Sequence, residues 1–119
     1  MPKGDIVIVF DCGATNVRVI AINSKGEILA SESYPNNTRP DPFFPTYRIW
    51  DIKEIWEKMC LASKKVVSRI NANQIIGVTV TTFGVDGTLF DRSGKMLYPV
   101  ISWHCERTNP IMADIGKYI

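Results

Sequence analysis

The chain has 119 residues, 45% of them hydrophobic and 22% charged, with 14 basic and 12 acidic side chains giving a net charge of +2. This is one domain's worth of ordinary globular composition, long enough to bury a core. No basic run marks a nucleic-acid or anionic-membrane partner, and no apolar stretch is long enough to span a bilayer. The opening Met1-Pro2-Lys3-Gly4-Asp5 reads as lacking a signal-peptide apolar region. Cys12, Cys60 and Cys105 are odd in number and widely spaced. They suggest neither a disulfide framework nor a zinc site, and they fit a reducing, cytoplasmic compartment.

Residues 5–11 are a continuous β-branched run and predict a buried strand. Residues 17–22 and 27–34 predict two more, joined by the turn chemistry of Asn23-Ser24-Lys25-Gly26. Pro35, Pro40, Pro42 and Pro45, with Asn36, Asn37 and Asp41, predict an irregular excursion over 35–47. It is either a plain surface loop or, at that length, a functional one. Residues 51–71 predict the one long helix, with Asp51 as N-cap and Glu54 three residues later. Ile52, Ile55, Trp56, Met59, Cys60, Val66, Val67 and Ile70 form its core stripe, with Trp56 as an anchor, while Lys58, Lys64, Lys65 and Arg69 lie mainly on the wet face. Residues 74–82 predict a buried strand, 88–91 and 96–101 strand-like pieces around a turn, and a last helix runs from about Thr108. The order β-β-β-α-β, with the helix returning the chain parallel to the first strand, obeys the right-handed crossover rule. The predicted fold is α/β, a mixed sheet with flanking helices that resembles the ribonuclease H-like arrangement.

Three clusters carry chemistry. In Asp11-Cys12-Gly13-Ala14-Thr15-Asn16-Val17-Arg18 a carboxylate ends one strand, a small-residue turn follows, and a second strand returns. Gly13 and Ala14 let backbone approach a phosphate, the turn N–H groups and the Thr15 hydroxyl can donate to its oxygens, and Asp11 can hold Mg²⁺. The same octet also reads as a polar hairpin turn with Gly13 at positive φ. Thr81-Thr82-Phe83-Gly84-Val85-Asp86-Gly87 follows the predicted strand 74–82, whose carboxyl end falls beside Asp11 in a parallel pairing; ligands gather at such ends. Asp86 can accept from two sugar hydroxyls, or simply shape an Asp-Gly turn. In Ile101-Ser102-Trp103-His104-Cys105-Glu106-Arg107-Thr108, Trp103 offers an apolar face for a sugar ring, or packs ahead of a helix. His104 is the only histidine, with no nucleophile pattern nearby.

Together these clusters resemble the N-terminal part of the FGGY family of carbohydrate kinases, and within it the fuculose-phosphorylating members. The resemblance covers the chain apart from the proline-rich loop. It rests on Phe10 through Arg18, Val80 through Gly87, and Leu97 through Thr108, in that order and spacing. It implies a fold of the actin/sugar-kinase type and transfer of the ATP γ-phosphoryl group to a sugar hydroxyl, with ATP and Mg²⁺ as cofactors. Carried over, Asp11 belongs to the Mg²⁺ and phosphate site, Gly13, Ala14, Thr15 and Asn16 form the phosphate hairpin, and Arg18 lies beside it. Gly84 and Asp86 fall in the sugar-facing segment, and Trp103 matches a tryptophan that lines the substrate pocket of glycerol kinases. Those kinases carry an Arg-Glu pair where this chain reads Gly84-Val85-Asp86. Rhamnulokinases share Gly-Val-Asp, so a deoxy-ketose such as L-fuculose is favoured; Thr81-Thr82-Phe83 and Cys12 favour it over rhamnulose.

In the family the general base is an aspartate further along than Ile119, and the adenine site belongs to a second domain. Residues 1–119 therefore read as the N-terminal part of the first, sugar-binding domain, without the ATP-side domain and inactive alone. Self-association through a bare sheet edge is expected. Two rival readings are a non-catalytic sugar- or nucleotide-binding remnant, and a ribonuclease H-like nuclease using Asp11, Glu57 and Asp86. The neutral surface and the small-residue hairpin argue against the nuclease.

Overall fold

In a computed structural model, which describes residues 3–119, the N-terminal apolar runs form strands β1 (Ile6–Cys12), β2 (Asn16–Ile22) and β3 (Ile28–Pro35). Short strands β4 (Arg39–Pro40) and β5 (Arg48–Trp50) precede helix α1 (Ile52–Val67). Strand β6 (Ile75–Thr81), the short β7 (Val100–Ile101) and helix α2 (Asn109–Ala113) complete the series. These elements fall into two compact units, one made of the segment up to Asn37 with Ile52–Gly84, the other of Thr38–Asp51 with Val85–Ile119.

The first unit is a four-stranded sheet in the order β3-β2-β1-β6. β1 and β3 run antiparallel to β2, and β6 returns parallel to β1. This mixed sheet, with its helical crossover, is the ribonuclease H-like arrangement expected from the sequence. Period-two alternation puts Ile6, Ile8, Val19, Ala21 and Ala30 on the helix side, where they meet Ala62 and Val66 of α1. Small residues on both surfaces let the helix sit close, and each fully buried Val or Ile contributes about 1.5–3 kcal/mol. Glu32 of β3 ties down the helix through Lys65 at 3.3 Å and the turn that follows it through Arg69 at 3.0 Å. Between β2 and β3, Gly26 at φ 80° allows the tight turn, and the Asn23 side chain accepts from the Lys25 and Glu27 N–H groups.

Three expectations for this unit are corrected. Trp56 is no core anchor: it is 64% exposed, one step round the helix from the buried stripe Ile55, Met59, Ala62 and Val66. The helix stops at Val67 rather than Asn71. The Arg69 and Ile70 N–H groups bond back three residues, and the Asn71 side chain caps a separate 3₁₀ turn, Ala72–Gln74. Strand β6 is not buried, with Ile76, Val78 and Val80 all more than 60% exposed. Val78 pairs with Ile8 and Val80 with Phe10, so the row continues the helix side of the sheet. α1 packs chiefly over β2 and β3 and leaves that row bare.

The second unit holds a small antiparallel sheet, β4-β5-β7. Its buried apolar side chains are Ile49, Trp50, Val100 and Cys105. The excursion over 35–47 therefore contains a two-residue strand, despite its prolines. Pro40 can join because the strand lies at the sheet edge, where a missing N–H is tolerated. The predicted strands 88–91 and 96–101 shrink to a Phe90–Met96 bridge, a Gly87–Ile101 bridge and β7. Instead of one long terminal helix there are three short pieces, the 3₁₀ turns Glu106–Thr108 and Ile115–Lys117 flanking α2. The Asp114 N–H bonds back to Ile111 and the Lys117 N–H to Asp114, a tighter winding than the α-helical one.

Candidate functional site

The β1–β2 hairpin builds a cleft of about 360 Å³ lined by Asp11, Gly13, Ala14, Thr15, Asn16, Arg18 and Ser33. Strand register explains the lining. Asp11 pairs across to Arg18 on one side and Thr81 on the other, and Arg18 pairs with Ser33. These side chains stand in one row on the sheet face opposite α1, at the carboxyl ends of β1 and β6. Arg18 donates to the Asp11 carboxylate at 2.9 Å, a pair open to solvent on one side. Gly13 does not have positive φ; its use is close approach. A Cβ there would lie 3.1 Å from the Asn16 carbonyl oxygen, which accepts the Gly13 N–H at 2.9 Å and closes the turn.

Asn36 underpins this hairpin. Its backbone N–H donates to the Thr15 carbonyl and its Nδ2 to the Gly13 carbonyl, both at 2.9 Å, and it is buried. Beneath the turn, burial pushes the Cys12 thiol up from its ordinary value, against a smaller downward pull from Thr82.

A second cleft, of about 310 Å³, belongs to the other unit and includes Asp86, Trp103, Cys105 and Arg107 in its lining. Asp86 is already held on both oxygens: Trp50 Nε1 donates to Oδ2 at 2.5 Å and the Trp103 N–H to Oδ1 at 3.0 Å. Each carboxylate oxygen keeps a further lone pair for a hydroxyl donor. Trp103 is half exposed and lies against His104, ring centroids 3.8 Å apart.

Asp41, from the proline-rich loop, anchors this unit. It accepts from the Tyr98 hydroxyl, from the Phe43 and Phe44 N–H groups, and from Arg107 at 3.1 Å. The Arg107 guanidinium also lies over the Tyr47 ring, 4.4 Å from its centroid, and donates to Cys105 Sγ at 3.2 Å. Burial pushes the Asp41 carboxyl up, but these hydrogen bonds outweigh it and hold the group below the usual carboxylate range. Cys105 behaves alike: burial raises it, and Arg107 with neighbouring backbone donors brings it below the usual thiol value.

Six predicted residues, Asp11, Gly13, Ala14, Thr15, Asn16 and Arg18, thus share one cleft, and Asp86 and Trp103 share another. Gly84 is exposed, a few residues past the end of β6, and belongs to neither lining, although its neighbour Val85 lines the second cleft. Sequence reading missed Ser33, Asn36, Asp41 and Trp50. Buried Asn36 and Asp41 sit in a loop of prolines, where an isolated polar residue is no signal by itself. Among the described residues no group of three or more His, Cys, Asp or Glu is gathered for a metal, and no helix is long and apolar enough to cross a membrane.

Known proteins match this architecture. Residues 6–119 fit the N-terminal domain of the FGGY family of carbohydrate kinases. An L-fuculokinase of Haemophilus influenzae is 46% identical over 119 residues, covering 96% of this chain and 25% of that protein. One from Escherichia coli is 41% identical over 117 residues, covering 98% of the chain and again 25% of the relative. The solved gluconate kinase of Lactobacillus acidophilus superposes with a TM-score of 0.80 at 16% identity, over 98% of this chain and 23% of its own. The chain spans about a quarter of the length of the curated relatives it matches. On the match over residues 6–119, this chain belongs to the FGGY family of carbohydrate kinases.

Proposed function

We propose that this chain is the N-terminal part of the sugar-binding domain of a cytoplasmic kinase that transfers the ATP γ-phosphoryl group to a deoxy-ketose such as L-fuculose. The observation that carries the reading is the hairpin cleft, a strand-end carboxylate beside a turn small enough for backbone to touch phosphate. The likeness to two L-fuculokinases at 46% and 41% identity supports the sugar.

The Gly13 N–H already closes the turn, which leaves the Ala14 and Thr15 N–H groups and the Thr15 hydroxyl as phosphate donors. Asp11 fits Mg²⁺, a hard cation that binds through one or two carboxylates plus phosphate oxygens and water. When bound, the ion neutralises charge on the transferring phosphates. Arg18, now paired with Asp11, would be placed to donate to a phosphate oxygen. Asp86 accepts from sugar hydroxyls, its carboxylate aimed by Trp50 and Trp103, and the exposed Trp103 ring packs on the sugar's apolar side. Gly84, two residues before Asp86, adds no side chain at its own position in that segment. The proton of the attacking hydroxyl goes to an aspartate beyond Ile119, so the 119-residue chain alone has no measurable activity. β6 is an edge strand of the sheet, and that edge, together with the exposed face row Ile76, Val78 and Val80, favours self-association.

A coupled ADP assay on the full-length protein tests this, with L-fuculose, L-rhamnulose and glycerol compared. The highest kcat/KM is expected with L-fuculose. A preference for glycerol, or ADP formation by the homogeneous 119-residue chain, would overturn the assignment.

A further inference from the structure

We propose that Asn36 is a positioning residue for phosphate transfer: it sets the hairpin so that its amides face the nucleotide, without touching ligand itself. The inference rests on the phosphate reading of the Asp11 cleft. Asn36 is 4% exposed and is not part of the cleft lining. It nonetheless holds two carbonyls of the four-residue turn, those of Gly13 and Thr15, by donors from one residue. In a trans peptide the carbonyl and the following N–H point in opposite directions. Drawing the Gly13 carbonyl towards Asn36 therefore aims the Ala14 N–H away from it, and Ala14 lines the cleft. The Thr15 tether fixes the other arm of the turn.

Asn36 is itself held from the helix. The carbonyl of Pro35 accepts from Lys58 Nζ at 2.7 Å, and Lys58 pairs with Glu54 at 2.8 Å, so the first turns of α1 brace the last residue of β3, to which Asn36 is joined. Donors aimed in advance at a developing charge need no reorganisation during reaction, which is how a residue outside the site influences rate.

The test uses the full-length protein with Asn36→Ala, Asn36→Asp and Asp11→Asn. Asn36→Ala keeps the backbone bond and loses the Nδ2 donor. It is expected to lower kcat/KM for ATP roughly tenfold while KM for L-fuculose stays within about twofold. Asn36→Asp keeps the size but sets a carboxylate against the Gly13 carbonyl, and is expected to cost more. Lower melting temperatures with unchanged ATP kinetics would overturn the proposal, leaving the phosphate reading intact if Asp11→Asn is still inactive. If Asp11→Asn is also normal, the phosphate reading fails and takes this one with it. If neither Asn36 variant folds, the residue is a folding determinant and the proposal falls.

Discussion

The hairpin cleft takes its shape from strand register: Ser33, Arg18, Asp11 and Thr81 stand in one row because β3, β2, β1 and β6 pair as they do. The Asp86 cleft has no such frame. Its unit has strands of two or three residues, and its side chains are placed by a polar network, Trp50 and Trp103 on Asp86 and Tyr98 and Arg107 on Asp41. A site built on backbone pairing tolerates side-chain loss outside the row. One built on a side-chain network transmits each loss to its neighbours. The two regions are therefore expected to answer mutation differently.

The largest effect is expected at Asp11. Asp11→Asn in the full-length protein should lower kcat by about 10²–10³-fold or more, with sugar binding and melting temperature nearly unchanged, because the ladder that holds the residue is backbone. A large loss of stability would show that the Asp11–Arg18 pair, not register, builds the cleft.

Asp41→Asn tests the other region. The Asp41 carboxyl is held below its ordinary value of 3.8, so the stability it contributes is present above about pH 4 and lost as pH falls through the folded pKa. Urea midpoints should differ clearly between wild type and variant at pH 6, and the gap should narrow towards pH 3. A constant gap would mean that the charge is not what matters.

Asp86→Ala is expected to raise KM for L-fuculose about tenfold and leave that for ATP little changed. It should also lower the melting temperature, since it removes the partner of Trp50 and of the Trp103 N–H. A loss of ATP affinity instead would assign Asp86 to the nucleotide.

The same contrast explains what could be read from the chain alone. Residues 6–35 form three strands and two turns, each specified by neighbours in sequence, and both the hairpin and its parallel partner at Thr81 were legible. The Asp41–Arg107 and Trp50–Asp86 bonds join residues 66 and 36 positions apart, which no local pattern encodes. Trp56 misled for a related reason. Helical periodicity identified a stripe, but which edge of it is covered depends on where β2 and β3 lie beneath. The smallest prediction follows: Trp56→Ala, at an exposed position, should change stability by no more than about 0.5 kcal/mol. A larger loss would mean that a partner covers it.

Hydrogen exchange on the full-length protein, read by peptide with and without each ligand, tests the division of labour between the two regions most directly. MgATP should protect residues 12–18 and leave 84–87 and 102–105 little changed, while L-fuculose should protect the latter two segments and spare the hairpin. Protection of the hairpin by L-fuculose alone, or no response of residues 12–18 to MgATP, would contradict the account.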